Sequence, residues 1–435
     1  MSKGQDLYKL GKQLIPGGTM LLSKRPEMFL PDFWPAYYKK AAGCCVWDLD
    51  DNRYIDMSFM GIGACPLGYA DKDVNRAVRN AINNGNMCTL NVPEEVELAE
   101  LMIELHPWAD MVRYARGGGE AMAVAVRIAR AATKKDIILF SGYHGWHDWY
   151  LSANLSEDSA LDGQLLPGLK PNGVARGMTG TSYPFFYNNK KEFLELIEKH
   201  KNNIGGVVIE TIRNINPQKC FFDTIAKETK KLKIPLIVDE VTSGFRLNCG
   251  GAHLILGLEP DIAVFAKGIS NGYPMGVIIG KKKFMDAAQD SFISSTYWTE
   301  RIGPVAAIAT IKKMKKNNIQ VHLINCGVKV QEGWRFLAKK HSLNINVGSI
   351  SPLSHFEFEE SPLILKTLFT QEMLKKGFLA TNSYYASYAH TQEIIDQYLK
   401  AVDSVFDYIA RTLITGKPED FLNGPVCQSG FKRIS

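Results

Sequence analysis

The stretch from Asp239 to Lys267 most constrains this chain. An apolar run, Ile234 to Val238, ends on two adjacent carboxylates, Asp239 and Glu240. A second apolar run, within EPDIAVFAKGISNGYPMG, delivers one lysine, Lys267, into a glycine-rich turn. Each run has the length and the Pro or Gly flanks of a short buried strand. A buried parallel strand is apolar along its length and carries polar chemistry only at its end. Ligands of open α/β sheets bind outside the carboxyl ends of the strands, so the acid and the lysine are expected to face one crevice.

A lone lysine where a strand meets a loop is ordinarily just solvated. A lysine paired with a strand-end acid has a sharper reading, as a Schiff-base amine made useful by a depressed pKa. Pyridoxal phosphate (PLP) needs such a lysine and also a carboxylate facing its ring nitrogen, where the anion keeps the ring protonated as an electron sink. Asp239 is the natural candidate for that carboxylate. These two residues alone do not decide the matter, which rests on the remainder of the chain.

With 435 residues, the chain is long enough for a large core and two domains. Its 51 basic and 45 acidic residues leave a net charge of +6, spread along the sequence. The lysine clusters at 281–283 and 312–316 read as solvated helix ends, which argues against a nucleic-acid partner. The eight cysteines include no CxxC pair and no regular framework, as expected of reduced thiols in the cytoplasm. The N-terminal MSKGQDLYKLGKQLIPGG lacks a signal-peptide core, and no apolar run reaches membrane-spanning length. No metal site is expected. The aspartates of DLDDN lack the later Gly and Glu of a calcium loop and read as a turn.

Residues 1–70 read as a lead-in with a helix over Asp6 to Leu14 and a hairpin in GCCVWDLDDNRYIDMS. From 71 to about 330, helices alternate with strands, which implies a mostly parallel sheet covered by helices on both faces. Residues 331–435 read as the helices and short strands of a second domain. In the central part, a strand over Met111 to Ala115 runs into Gly117-Gly118-Gly119, and a small-residue helix follows from Glu120. Bare backbone N–H groups at a helix start favour an anion, although three glycines also make an ordinary tight turn. The strand in DIILFSGYHGWHDWY is expected to end in Tyr143-His144-Gly145, where an aromatic ring can stack on a flat heterocycle or simply pack. Residues 151–182 lack periodicity and read as a lid over the crevice. A further apolar strand, GGVVIE, ends on Glu210.

In this order the motifs VIE, IVDEVTSGFR and AKGISNGYPMG, with IPGG and VWDLDDNRYIDM before them and SYYASYAHT after, resemble the class III PLP-dependent aminotransferases of fold type I. The likeness is closest to their glutamate-1-semialdehyde aminomutase-like branch. It spans nearly the whole chain. It implies an α/β fold with a mostly parallel seven-stranded sheet in a large domain, and a smaller α+β domain built from both chain ends. It implies that Lys267 bonds the cofactor and shuttles the proton, and that Asp239 faces the pyridinium nitrogen. It implies too that Val241 and Tyr143 take opposite ring faces and that Gly118 and Gly119 form the phosphate cup. It further implies that Thr296 reaches the phosphate of a neighbouring subunit, and hence a homodimer. Glu210 matches a glutamate on the cofactor's hydroxyl side, with a purely structural carboxylate as the equal alternative. His144 matches in position, either at the cofactor or as a hydrogen-bonded core histidine.

The chain also departs from the family. Gly117-Gly118-Gly119 replaces a common Ser-Gly-Thr, so two hydroxyls are lost and backbone N–H groups must hold more of the phosphate. Where the aminomutase has a carboxylate-binding arginine, this chain has Lys24 and Arg25 in uncertain register, and a lysine does not reproduce a bidentate clamp. The expected activity is therefore transfer of an amino group from an amino donor to a small keto or aldehyde acceptor. An intramolecular aminomutase is the alternative, and a PLP-binding protein without catalysis a remote one. No phosphate-loop or dinucleotide motif supports a nucleotide enzyme.

Overall fold

A computed structural model describes residues 2–432. The chain forms two compact units, residues 72–320 and residues 1–71 together with 321–435.

The first unit is built on seven strands: β1 (Met111–Ala115), β2 (Ile137–Ser141), β3 (Ser182–Pro184), β4 (Ile204–Glu210), β5 (Leu236–Asp239), β6 (Ile262–Phe265) and β7 (Gly276–Gly280). Their order across the sheet is β1-β7-β6-β5-β4-β2-β3. All neighbouring pairs are parallel except those of β7, which runs antiparallel to β1 and β6. β2, β5, β6 and β7 are buried along their whole length, and β4 up to its last residue. Residues inside such a sheet have protein on both faces, which explains their continuous apolar sequences. The register places Glu210 beside Asp239 and Asp239 beside Val264, so the acids of β4 and β5 emerge at one edge.

Helices α1 (Lys72–Asn83) and α2 (Glu94–Leu105) precede these strands, α3 (Gly118–Thr133), α4 (Lys190–His200) and α5 (Lys219–Leu232) lie between them, and α6 (Ile302–Asn317) follows. The alanine- and valine-rich face of α3, including Ala121, Ala125, Ile128 and Ala129, is completely buried against Ile138, Val208, Ile237 and Val264 of the sheet. Small side chains there let the helix approach the strands closely, and the helix start is held at the carboxyl edge.

Several expected boundaries shift. α3 begins at Gly118 rather than Glu120, so two of the three glycines lie inside its first turn. β2 ends at Ser141, and Tyr143 to Gly145 form the turn beyond it, opened by the left-handed Gly142 (φ 116°). The stretch 151–182 is mostly irregular, yet it closes on the short strand β3. Its Leu161 is fully buried, and Asn154 bonds the backbone of both Leu161 and Leu169. Periodicity could not reveal β3, because three residues are too few to show it.

In the second unit, the hairpin forms as strands Cys45–Asp48 and Arg53–Asp56. The Asp48 carboxylate accepts the N–H groups of Asp50 and Asn52 across the turn. The first helix starts earlier than expected, at Lys3, because Ser2 and Gln5 form a capping box. The C-terminal part contributes a three-stranded antiparallel sheet, Ile345–Gly348, Leu353–Phe358 and Ser383–Tyr385, packed with helices Pro362–Lys375 and Gln392–Thr415. Phe356, Phe369 and Phe406 interlock edge-on at its centre.

Candidate active site

The ends of β4, β5 and β6 bring Glu210, Asp239 and Lys267 to one edge of the sheet. Asp239 is buried, and its oxygens are divided between two partners. Oδ1 accepts the N–H of Val241 at 2.9 Å, and Oδ2 lies 2.7 Å from Nδ1 of the buried His144. Nε2 of His144 faces the carbonyl of Ser141 at 3.2 Å. The two ring nitrogens of His144 thus tie the Asp239 carboxylate to the backbone at the end of β2. His144 also stacks on Trp149, with ring centroids 6.0 Å apart, which fixes its plane.

Lys267 follows β6 with φ at +47°, a left-handed backbone that costs a non-glycine residue energy and persists only when its surroundings impose it. The side chain is half-buried, and Nζ donates to Oγ1 of Thr242 at 2.8 Å. Burial brings its amine down to about 7, aided by the cations of Arg213 and Arg246 and opposed by Asp239 and Glu210. A lysine brought this low is available as a neutral amine near neutral pH.

Glu210 accepts the Tyr143 N–H at 3.3 Å and pairs with Arg213 at 2.5 Å. Tyr143 is half-buried beside Tyr150, and burial raises its phenol above the ordinary value. Glu240, next to Asp239, belongs to a separate support. Its carboxylate accepts from Ser243, from Nδ1 of His253 and from the His253 N–H, while Nε2 of His253 accepts from Trp108. Burial raises the Glu240 carboxyl, and these donors outweigh it, leaving the group below the ordinary carboxylate range.

The start of α3 fits a phosphate. Gly117 caps the helix without a side-chain bond, and the first N–H groups of a helix have no partner within it. A Cβ at Gly118 would lie 2.7 Å from Cγ1 of Val241, so the glycine is what lets this turn meet the valine. Gly119 meets Gly145 equally closely, since a Cβ at Gly145 would lie 2.8 Å from the Gly119 Cα. Arg116, just before the glycines, donates to the carbonyls of Trp298 and Glu300 and so anchors the exposed turn Thr296–Thr299. Residues 31–393 match the family model "Aminotransferase class-III".

The chain belongs to the class-III aminotransferases. It is therefore a PLP-dependent enzyme of amino-group transfer. A 3-aminobutyryl-CoA aminotransferase of Cloacimonas acidaminovorans is 28% identical over 92% of this chain and 96% of its own length. A glutamate-1-semialdehyde 2,1-aminomutase of Nitrosopumilus maritimus is 32% identical over 91% and 96%. The PLP internal aldimine form of FumI from Sphingopyxis sp. MTA144 superposes with a TM-score of 0.87 over 97% of this chain and 99% of its own, at 24% identity, and establishes the fold.

Within this class-III aminotransferase, sequence reasoning singled out Lys267, Asp239, His144, Tyr143, Val241, Glu210, Gly118 and Gly119, and the structure gathers them at the carboxyl edge of one sheet. It missed Arg213 and Thr242. The available signal was a cation three residues after a strand-end acid, inside the irregular TIRNINP. Lys24 and Arg25 lie in the other unit. Lys24 is exposed, whereas Arg25 is buried, donates to the Lys432 carbonyl at 3.0 Å and sits over the Phe431 ring.

Proposed function

We propose that Lys267 bonds the cofactor and carries the proton as an amino group passes from an amino donor to a separate small carbonyl acceptor. The observation that carries this reading is the buried, histidine-held Asp239 at the end of β5 beside a Lys267 amine brought down to about 7. PLP, when bound, supplies the electron sink that weakens the C–H bond next to the amino group. The remaining work belongs to the side chains. Lys267 would take that proton at Nζ and hold it for return. Asp239, oriented by His144 and the Val241 N–H, holds an anion opposite the ring nitrogen. The backbone N–H groups of Gly118 and Gly119 would hold the phosphate, and Tyr143 and Val241 would flank the ring. Glu210 would stand near the cofactor's hydroxyl, and its pairing with Arg213, itself bonded to Thr242 beside Lys267, supports a role in the site over a purely structural one.

The exposed position of Thr296 supports its reaching a second copy, and hence a homodimer. Of the two N-terminal cations, Lys24 is the better candidate for a substrate carboxylate, since Arg25 is already engaged by the C-terminal segment. The eight cysteines, all free thiols, support a reducing, cytoplasmic setting. No helix among the described residues is long and apolar enough to cross a membrane.

The aminomutase reading has its own support in the relatives of that name. Single amino acids added to the PLP-loaded protein without an acceptor separate the two. A two-substrate aminotransferase is converted by one donor to the pyridoxamine form and releases one equivalent of carbonyl product. Turnover of a single compound without any donor would favour the aminomutase. Lys267→Ala should abolish turnover in either case, and near-normal turnover by that variant would overturn the assignment of Lys267.

A further inference from the structure

Thr242 Oγ1 accepts two hydrogen bonds, one from Lys267 Nζ at 2.8 Å and one from an Arg213 guanidinium nitrogen at 2.7 Å. A hydroxyl oxygen has two acceptor positions, so these bonds saturate it. The two nitrogens are therefore no further apart than the sum of two hydrogen bonds. Arg213 is held in that place from its other side by Glu210 at 2.5 Å, and both members of the pair are largely buried, at 13% and 12% exposure. Thr242 itself is buried and sits in the DEVTSG turn, whose Ser243 bonds Glu240 and Thr211. The turn is thus tied to Glu240 and Thr211 as well as to the lysine.

We infer that Arg213 is a positioning residue for Lys267. Its guanidinium, anchored by Glu210 and acting through the Thr242 hydroxyl that both side chains share, aims the lysine nitrogen and keeps it uncharged. The inference rests on the reading of Lys267 as the reacting amine. An ammonium would bring three donors to a place where the described residues offer Nζ the one Thr242 acceptor, and would face a fixed cation across it. A neutral amine donates one hydrogen to Thr242 and keeps its lone pair. The charged groups acting on Lys267 are Arg213 and Arg246, which disfavour its ammonium form, and Asp239 and Glu210, which favour it. Arg213 is the one of these that shares a hydrogen-bond acceptor with Nζ. It lies outside the apolar strands, in an irregular segment three residues after the strand-end Glu210.

The test measures the titration of Lys267 directly in the full-length, cofactor-free chain. Trace acetylation with acetic anhydride transfers an acetyl group to a neutral amine and releases acetate and a proton, so the labelling rate of the Lys267 peptide against pH reports the amine's midpoint. The wild-type midpoint is expected near 7. Arg213→Gln removes the cation and should raise the midpoint by about one pH unit or more. Arg213→Lys restores a cation and should bring it most of the way back. Glu210→Gln keeps a side-chain oxygen to hold Arg213 while it removes the opposing charge, and should lower the midpoint, a change of opposite sign that general loosening of the site would not produce.

Thr242→Ser should label like wild type, which guards against a fold failure at Arg213. Equal midpoints in wild type and Arg213→Gln, or an upward shift in Glu210→Gln, would overturn the inference. A wild-type midpoint at the ordinary lysine value would do the same. Failure of the functional reading is distinguishable, because it would appear as wild-type protein that develops no PLP absorption band whatever the labelling midpoints are.

Discussion

At the scale of single residues, the site concentrates opposing charges around a half-buried lysine. A free lysine titrates near 10.5 and Lys267 near 7. Between those values the unfolded chain binds a proton that the folded chain does not, so folding stability rises with pH across that window. The destabilisation is fully present below about pH 7 and is lost as pH rises through the unfolded value. Cofactor-free Lys267→Met should therefore melt higher than wild type at pH 7, by about 3 °C. It should also show a flatter dependence of Tm on pH between 7 and 10. A scanning-calorimetry series that gave parallel pH profiles for the two proteins would contradict the burial argument. Asp239→Asn keeps the shape of the side chain and removes its anion. It should cost about a thousandfold in turnover while PLP still binds, measured as kcat against PLP absorbance.

At the scale of elements, the site depends on strands that end together and on a helix that starts without a side-chain cap. The Gly118 approach to Val241 leaves no room for a methyl group. Gly118→Ala should weaken PLP binding by about tenfold, by moving either the helix start or the valine, a shift readable by fluorescence titration. Gly145 has φ at +100° and abuts Gly119, so Gly145→Ala combines strain with a clash and should destabilise the protein by about 2 kcal/mol in chemical denaturation. These elements also show what the sequence made legible. Asp239 and Lys267 stood out because each ends an apolar run, and strands buried on both faces write themselves as such runs. Alternation of strand and helix implied the mostly parallel sheet, whereas the register that sets Glu210 beside Asp239 came only with the fold. Arg213 and Thr242 did not stand out, because their meaning lies in a shared hydrogen bond between separate loops, and no local spacing encodes that. The partner of Glu240 was hidden in the same way: His253 lies thirteen residues on, and only the fold brings its ring to the carboxylate.

At the scale of the whole molecule, the proposed homodimer makes each site depend on both chains. Mixing two impaired variants tests this. Lys267→Ala lacks the lysine but carries an intact Thr296, and Thr296→Val carries the lysine. If Thr296 acts in the neighbouring site, unfolding and co-refolding the two together should restore about a quarter of wild-type activity, since about half the dimers are mixed and each of those has one complete site. Activity no higher than the Thr296→Val share would place Thr296 outside the partner's site. The Phe292 and Tyr297 side chains flanking Thr296 are 88% and 72% exposed, apolar surface that a second copy would cover.

The central claim, that Lys267 is the residue through which this class-III aminotransferase holds PLP, has a direct chemical test. The purified protein is saturated with PLP, its visible absorption is recorded, and the complex is reduced with borohydride, digested and mapped by mass spectrometry. The account predicts an absorption band that disappears on reduction and a pyridoxyl phosphate label on the peptide containing Lys267. A label on a different lysine, or saturation with PLP that leaves no lysine labelled, would contradict it.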